Sequence, residues 1–275
     1  MSEGIKRMIK VEKIVNVDDA IVEMVLNILG ETYETLGPPM TFSATLRIFE
    51  KSDGSQFFAS HEVVEGKPTI SIYVDKMSSL PYDVAVGGIR RQAAHSILHG
   101  SREFYSIKLP SELKRAMTEY SLPENFAMKI LYGVSMAIKE YAVTKFLLNG
   151  GFIDDQLAYA KYLLEPIPEE AASWEFVKAS PLERIVYLVM AARDVSSVMP
   201  LTEDPRFSGE IKMFIEKKIE HLPPNYRAKV RKVAGEVSSS FNGDVFRNID
   251  RLTNIIVREL IDEELAFYRK TTQPL

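Results

Sequence analysis

Pro81-Tyr-Asp-Val-Ala-Val-Gly-Gly-Ile-Arg-Arg-Gln-Ala-Ala-His-Ser-Ile-Leu-His-Gly100 is the stretch around which the other segments are most readily ordered. Its spacing predicts a helix of about five turns. It carries His95 and His99, two of the four histidines in the protein. A separation of four residues sets both imidazoles on one helical face, where they can share an ion. Val86, Ile89, Ala93 and Ile97 form one apolar stripe, while Gln92, His95 and His99 cluster on the opposite side. The histidines therefore stand off the main apolar seam and should face a cleft, a second layer of protein, or water.

Two readings of this pair stay open. In the first, they are ordinary surface or half-buried side chains. In the second, they are two ligands of a metal. The motif that carries this chemistry is His-Glu-x-x-His, whose Glu acts as general base for a zinc-bound water. Ser96 occupies that place here. A serine at neutral pH cannot take a proton from water as a carboxylate does, so the pair could still hold a metal but could not run the usual hydrolysis. No catalytic residue is assigned. Glu103 is the nearest downstream carboxylate, but it follows Gly100, where the helix should end. Ser96→Glu restores the motif and is expected to raise activity on peptides.

At 275 residues the chain can bury a full core, as one large domain or two packed subdomains. Hydrophobic residues at 46% and charged residues at 26% argue against disorder. A net charge of −4 offers no general attraction to nucleic acid or acidic membranes. With no cysteine, disulfides, thiolate zinc sites and cysteine nucleophiles are excluded. The N-terminal residues lack an apolar core of signal-peptide length, and no membrane span is expected. A cytoplasmic protein is the expectation.

Asp18 and Asp19 open a helix over 18–35 that Gly37-Pro38-Pro39 stops. Three strand-like runs follow. Thr41 to Glu50 and Gln56 to Val64 are expected to pair through a hairpin turn at Lys51–Gly54. Glu65-Gly-Lys-Pro68 then turns into Thr69–Asp75, whose Ile70, Ile72 and Val74 suggest a strand with one buried face. His61, on the second run, reads either as an ordinary strand histidine or as a neighbour of the cleft. Beyond the His helix come a short helix near 111–120 and a long one from Glu124 to Asn149. Further helices are expected at 154–164, 181–194, 208–221, 225–239 and 243–270.

Glu140 breaks the pattern of the long helix, since its neighbours on that face are Gly133, Met136, Ala137, Val143, Thr144 and Leu147. A carboxylate there costs several kcal/mol unless a cation, a metal or good donors meet it. It is either a buried Glu paired with Arg or backbone, a Glu reaching solvent, or a ligand.

Strands over 41–75, then His95-Ser-Ile-Leu-His99, then Glu140-Tyr-Ala-Val-Thr144 resemble the gluzincin group of zinc metallopeptidases over roughly residues 18 to 150. The resemblance implies a zincin-like fold with His95, His99 and Glu140 as metal ligands, and with Gln92 and Thr144 around them. Ser96 and Thr144 depart from the group, at the base and at a position where an Asp often orients a His. The fold class expected is α+β. A zincin-like domain over 1–151 (helix, small antiparallel sheet, His-bearing helix, Glu-bearing helix) precedes a helical subdomain over 152–275. The function implied is that of a peptidase-derived scaffold with little or no activity, with zinc or nothing as cofactor and a protein or peptide as partner. The alternative is a helical interaction module that binds no metal. Arg227, Lys229, Arg231 and Lys232 read as a solvated face rather than a nucleic-acid patch. Gly87-Gly88 lacks the spacing and lysine of a phosphate loop.

Overall fold

Two strands too apolar for a sheet edge occupy the centre of a four-stranded sheet. In the computed structural model, which describes residues 8–14, 17–52, 54 and 57–266 (13 and 14 by backbone only), the strands are β1 (Ile9–Ile14), β2 (Ala44–Phe49), β3 (Ala59–Val64) and β4 (Lys67–Tyr73). Their order is β1-β2-β4-β3. β1 runs parallel to β2 and β2 parallel to β4, and only β3 is antiparallel to its neighbour β4. The sheet is thus mixed, not the small antiparallel one expected. Leu46, Ile48, Ile70 and Ile72 are all buried in β2 and β4, whereas β3 presents Ser60, His61 and Glu62 at the edge. Polar residues on an edge and apolar ones at the centre follow from what each position leaves exposed to water.

The hairpin expected between β2 and β3 does not form, because β4 lies between them. The turn that does form joins β3 to β4 through Glu65 and Gly66, with φ of 50° and 79°. Two consecutive positive φ values give the tight turn whose twist matches antiparallel strands. Thr69 and Ser71 are buried as well as Ile70 and Ile72, so β4 is covered on both faces rather than one. β1 had no counterpart in the sequence reading.

The chain divides into two compact units, Met1–Ile107 with Val143–Tyr162, and Lys108–Ala142 with Leu163–Leu275. Neither is the continuous span 1–151 or 152–275. The first unit is α+β. Its α1 (Asp19–Leu36) begins at Asp18, whose carboxylate accepts from Ala20 N at 2.9 Å, and buries Val22, Val25, Ile28, Leu29 and Tyr33. A helical turn, Val74–Met77, leads to α2 (Tyr82–Leu98). Two glycines seat α2 closely. A Cβ at Gly88 would lie 2.1 Å from the Phe58 ring, and one at Gly87 would lie 2.5 Å from the Asp155 carbonyl. Those glycines serve packing.

The second unit is helical: α3 (Ser111–Tyr120), α4 (Glu124–Asn149, through Ala142), then α5 (Asp154–Leu164, from Leu163) and α6 (Pro168–Val177). After these come α7 (Pro181–Val198), α8 (Pro205–Lys218), α9 (Pro224–Ser240) and α10 (Val245–Ile256). A π-helical stretch, Val257–Asp262, continues α10, and residues 267–270 of the helix expected there lie outside the described residues. α6 had not been expected. Pro181–Glu203 is long and apolar enough to cross a membrane, but 56% of its 18-residue apolar window is buried inside the protein, as in a core helix. In α9, Val230, Val233, Ala234 and Val237 are buried, while Lys229, Arg231 and Lys232 meet Glu263, Glu216 and Glu259.

Candidate functional site

α2 is buried along most of its length, and its last turn carries the histidines into protein rather than water. His95 is 5% exposed and His99 fully buried. His99 is the residue that caps the helix; its N–H donates to the His95 carbonyl at 2.7 Å, which preserves the one-turn spacing. The two Nδ1 atoms are 3.2 Å apart. At this contact one ring presents N–H and the other a lone pair, so the two rings hold one hydrogen between them there.

A third histidine joins them. His61 on β3 lies nearly parallel to His95, with ring centroids 5.9 Å apart and planes at 18°. The His95 and His99 centroids are 5.3 Å apart. Immediately after α2, a 3-10 turn, Arg102–Tyr105, folds over this row. Phe104 sets its edge against His99 at 5.2 Å, and Tyr105 Oη bonds His61 Nδ1 at 2.6 Å. Gly100 permits the exit from the helix, since a Cβ there would stand 2.3 Å from the Ser96 carbonyl and 2.9 Å from Pro68. Glu103 is exposed on the same turn.

Ser96 belongs to the packing. It is fully buried, its hydroxyl donates to the Ala93 carbonyl at 2.7 Å, and its oxygen is 2.8 Å from Tyr33 Oη on α1. Burial pushes the Tyr33 phenol far above its usual pKa, against the opposing effect of the Ser96 hydrogen bond. A carboxylate introduced at this position would therefore be buried among α1 side chains. This removes the ground for expecting Ser96→Glu to restore activity.

Thr144 accepts a hydrogen bond from Arg91 Nη1 at 2.7 Å, so within the first unit its hydroxyl orients a guanidinium where a histidine was expected. The same Arg91 atom donates to Gln156 Oε1 at 3.2 Å, and the guanidinium lies over the Tyr159 ring. Next to it, Arg90 pairs with Asp155 and Glu31. These bonds fix Arg90 and Arg91 of α2 within the first unit. Gln92 is half-buried on α2. Glu140 belongs to the second unit, half-buried on α4, where its charge acts on Lys139 and Arg193.

Among the described residues, no three His, Asp or Glu side chains stand together as ligands of one ion. Sequence reasoning had found His95 and His99 and had left His61 open. The signal for His61 was its phase on β3, which it shares with buried Ala59 and not with exposed Glu62. Tyr105 had no signal.

The second unit has its own cavity, of about 470 Å³, lined by Trp174, Glu175, Lys178, His221, Leu222, Pro223 and Tyr226. His221 Nε2 is 2.7 Å from Tyr187 Oη, whose hydroxyl also reaches the Glu170 carbonyl at 3.0 Å. Trp174 packs against Tyr187 and Tyr226. Comparison with protein families, with curated proteins and with solved structures finds no match to this chain.

Proposed function

We propose that the chain is a zincin-like protein that keeps the metal-holding part of a peptidase site and does without its hydrolytic part. The observation that carries this reading is the buried His95–His99 pair, with its Nδ1 atoms 3.2 Å apart at the end of α2. Two nitrogens bound to one tetrahedral ion at ~2.0–2.1 Å stand about 3.3 Å from each other. A mixed sheet with one antiparallel edge strand precedes the His helix, the element order that the gluzincin resemblance implies. The place of the general base is taken by Ser96, whose hydroxyl is spent on Tyr33 and Ala93. Without a positioned base, a factor of ~10²–10⁴ in rate is lost.

The test is metal content and melting temperature of protein purified without a histidine tag. One zinc per chain is expected. Zinc at a hundredfold excess over Kd should add ~2.7 kcal/mol to stability. His95→Ala should abolish that response, and Glu140→Ala tests the third ligand that the resemblance implies. Peptide cleavage at rates ordinary for a metallopeptidase would overturn the loss of hydrolysis. A second reading, an interaction module that binds no metal, is favoured by the mutual hydrogen bond of the pair under Phe104. A melting midpoint unmoved by zinc would select it.

A further inference from the structure

We propose that Asn242 is a site of self-modification, where the Gly243 nitrogen attacks the side-chain amide and water completes its conversion to aspartyl and isoaspartyl forms. The inference stands apart from the metal reading. The chain holds two Asn-Gly pairs, Asn149-Gly150 and Asn242-Gly243, and the structure separates them. Glycine is the successor that makes the attack feasible, because no Cβ shields its nitrogen and its φ is little restricted. Asn149 is the last residue of α4, and the Gly150 N–H donates to the Phe146 and Leu147 carbonyls, each at 3.1 Å. Gly150 is also clasped by α1, since a Cβ there would stand 2.3 Å from Leu36 Cδ2. A nitrogen held in this way must first leave its helix before it can act as a nucleophile.

Asn242 lies in the link between α9 and α10, where Asn242, Gly243 and Asp244 are exposed in succession. A Cβ at Gly243 would meet nothing within 4 Å, and its φ is 84°. Asn242 Oδ1 accepts from Asp244 N at 3.1 Å. The ring closed by that bond includes the Gly243 nitrogen, so the carboxamide is folded toward the atom that attacks it. Nothing has to unfold first. The step balances with hydroxide and water. Hydroxide takes the Gly243 N–H proton, the nitrogen bonds Asn242 Cγ, and the amide Cγ–N bond breaks to release ammonia, protonated from water. Water then opens the succinimide ring. Opening at Cγ gives aspartate, and opening at the main-chain carbonyl gives isoaspartate, whose backbone is longer by a methylene. That addition falls between two fixed points. Phe241 lies against Tyr141 with ring centroids 4.9 Å apart, and the Asp244 carboxylate accepts from Arg247 N at the start of α10.

The experiment incubates the folded full-length protein at mildly alkaline pH and follows both Asn-Gly peptides by mass spectrometry after proteolysis. Asn242 should convert at least ~10-fold faster than Asn149, the factor for a local opening that costs ~1.4 kcal/mol. Its rate should rise in proportion to hydroxide. In the urea-unfolded chain the two rates should converge, because both pairs are then equally free. Asn242→Gln, whose longer side chain cannot close the same ring, should remove the fast conversion and leave the slow one. Equal rates at the two asparagines of the folded protein overturn the assignment. So does a fast conversion that persists in Asn242→Gln, or an Asn242 that reacts ~10-fold slower folded than unfolded.

Discussion

The first unit buries a row of imidazoles beside its sheet, along with Arg91 and the Arg90–Asp155 pair, whereas the second buries ion pairs among its helices. His61, His95 and His99 form a row of imidazoles closed by Tyr105 and Phe104. In the second unit, Arg193 is paired with Asp194 and Lys218 with Glu170. Burial raises the Asp194 carboxyl above its ordinary pKa in spite of Arg193 beside it. Ion pairs of this kind satisfy one another and have little left for a ligand. Burial of polar atoms alone does not mark a site; what the atoms can still exchange does.

The largest effect expected is that of Ser96→Glu. A charge buried between α1 and α2 without a cation costs several kcal/mol, and the expected outcome is a folded yield and denaturation midpoint far below the parent's. A variant as stable as the parent would show that position 96 opens toward the histidines after all, which would erase the contrast between packing face and site face.

Next in size is a pH effect in the second unit. Burial pushes the Lys139 ammonium down to about 8, against the pull of Glu140. Between about pH 8 and its unfolded value near 10.4, the unfolded chain binds more protons than the folded one, so stability rises with pH across that window. Lys139→Met should remove this rise, worth up to about 3 kcal/mol, as read from urea midpoints at pH 7.5 and 10. Equal slopes for parent and variant would refute it.

The smallest effect sharpens the comparison of histidines. His221→Gln should cost about 1 kcal/mol at pH 7.5 through its bond to Tyr187 and leave zinc binding unchanged. Burial lowers the His221 pKa, so the parent loses this contribution as pH falls through the histidine range, and the gap should narrow by pH 5. A zinc response altered by His221→Gln would remove the distinction between the two units.

Most helices were legible because their signals are local: Asp18 as a cap, Gly37 and Gly150-Gly151 as stops, and prolines opening α7 to α9. The strands 44–49, 59–64 and 67–73 were legible as segments, yet their pairing was not. Parallel partners such as Leu46 and Ile70 lie far apart in the chain, and nothing local declares them. The site was half legible. Spacing on one helix reveals His95 and His99, but a partner from another element, such as His61, emerges only when the sheet register is known. Ser96 misled for the same reason, since its contact with Tyr33 joins residues 63 positions apart.

The Glu65-Gly66 turn has a consequence for the order of folding. β3 and β4 meet across two residues and can close within microseconds, whereas β2 reaches β4 only after a longer loop has been drawn together. Pairing of β3 with β4 is thus the less costly first step, and the parallel β2–β4 ladder the later one. Replacing Gly66, whose φ is 79°, should slow refolding more than it speeds unfolding.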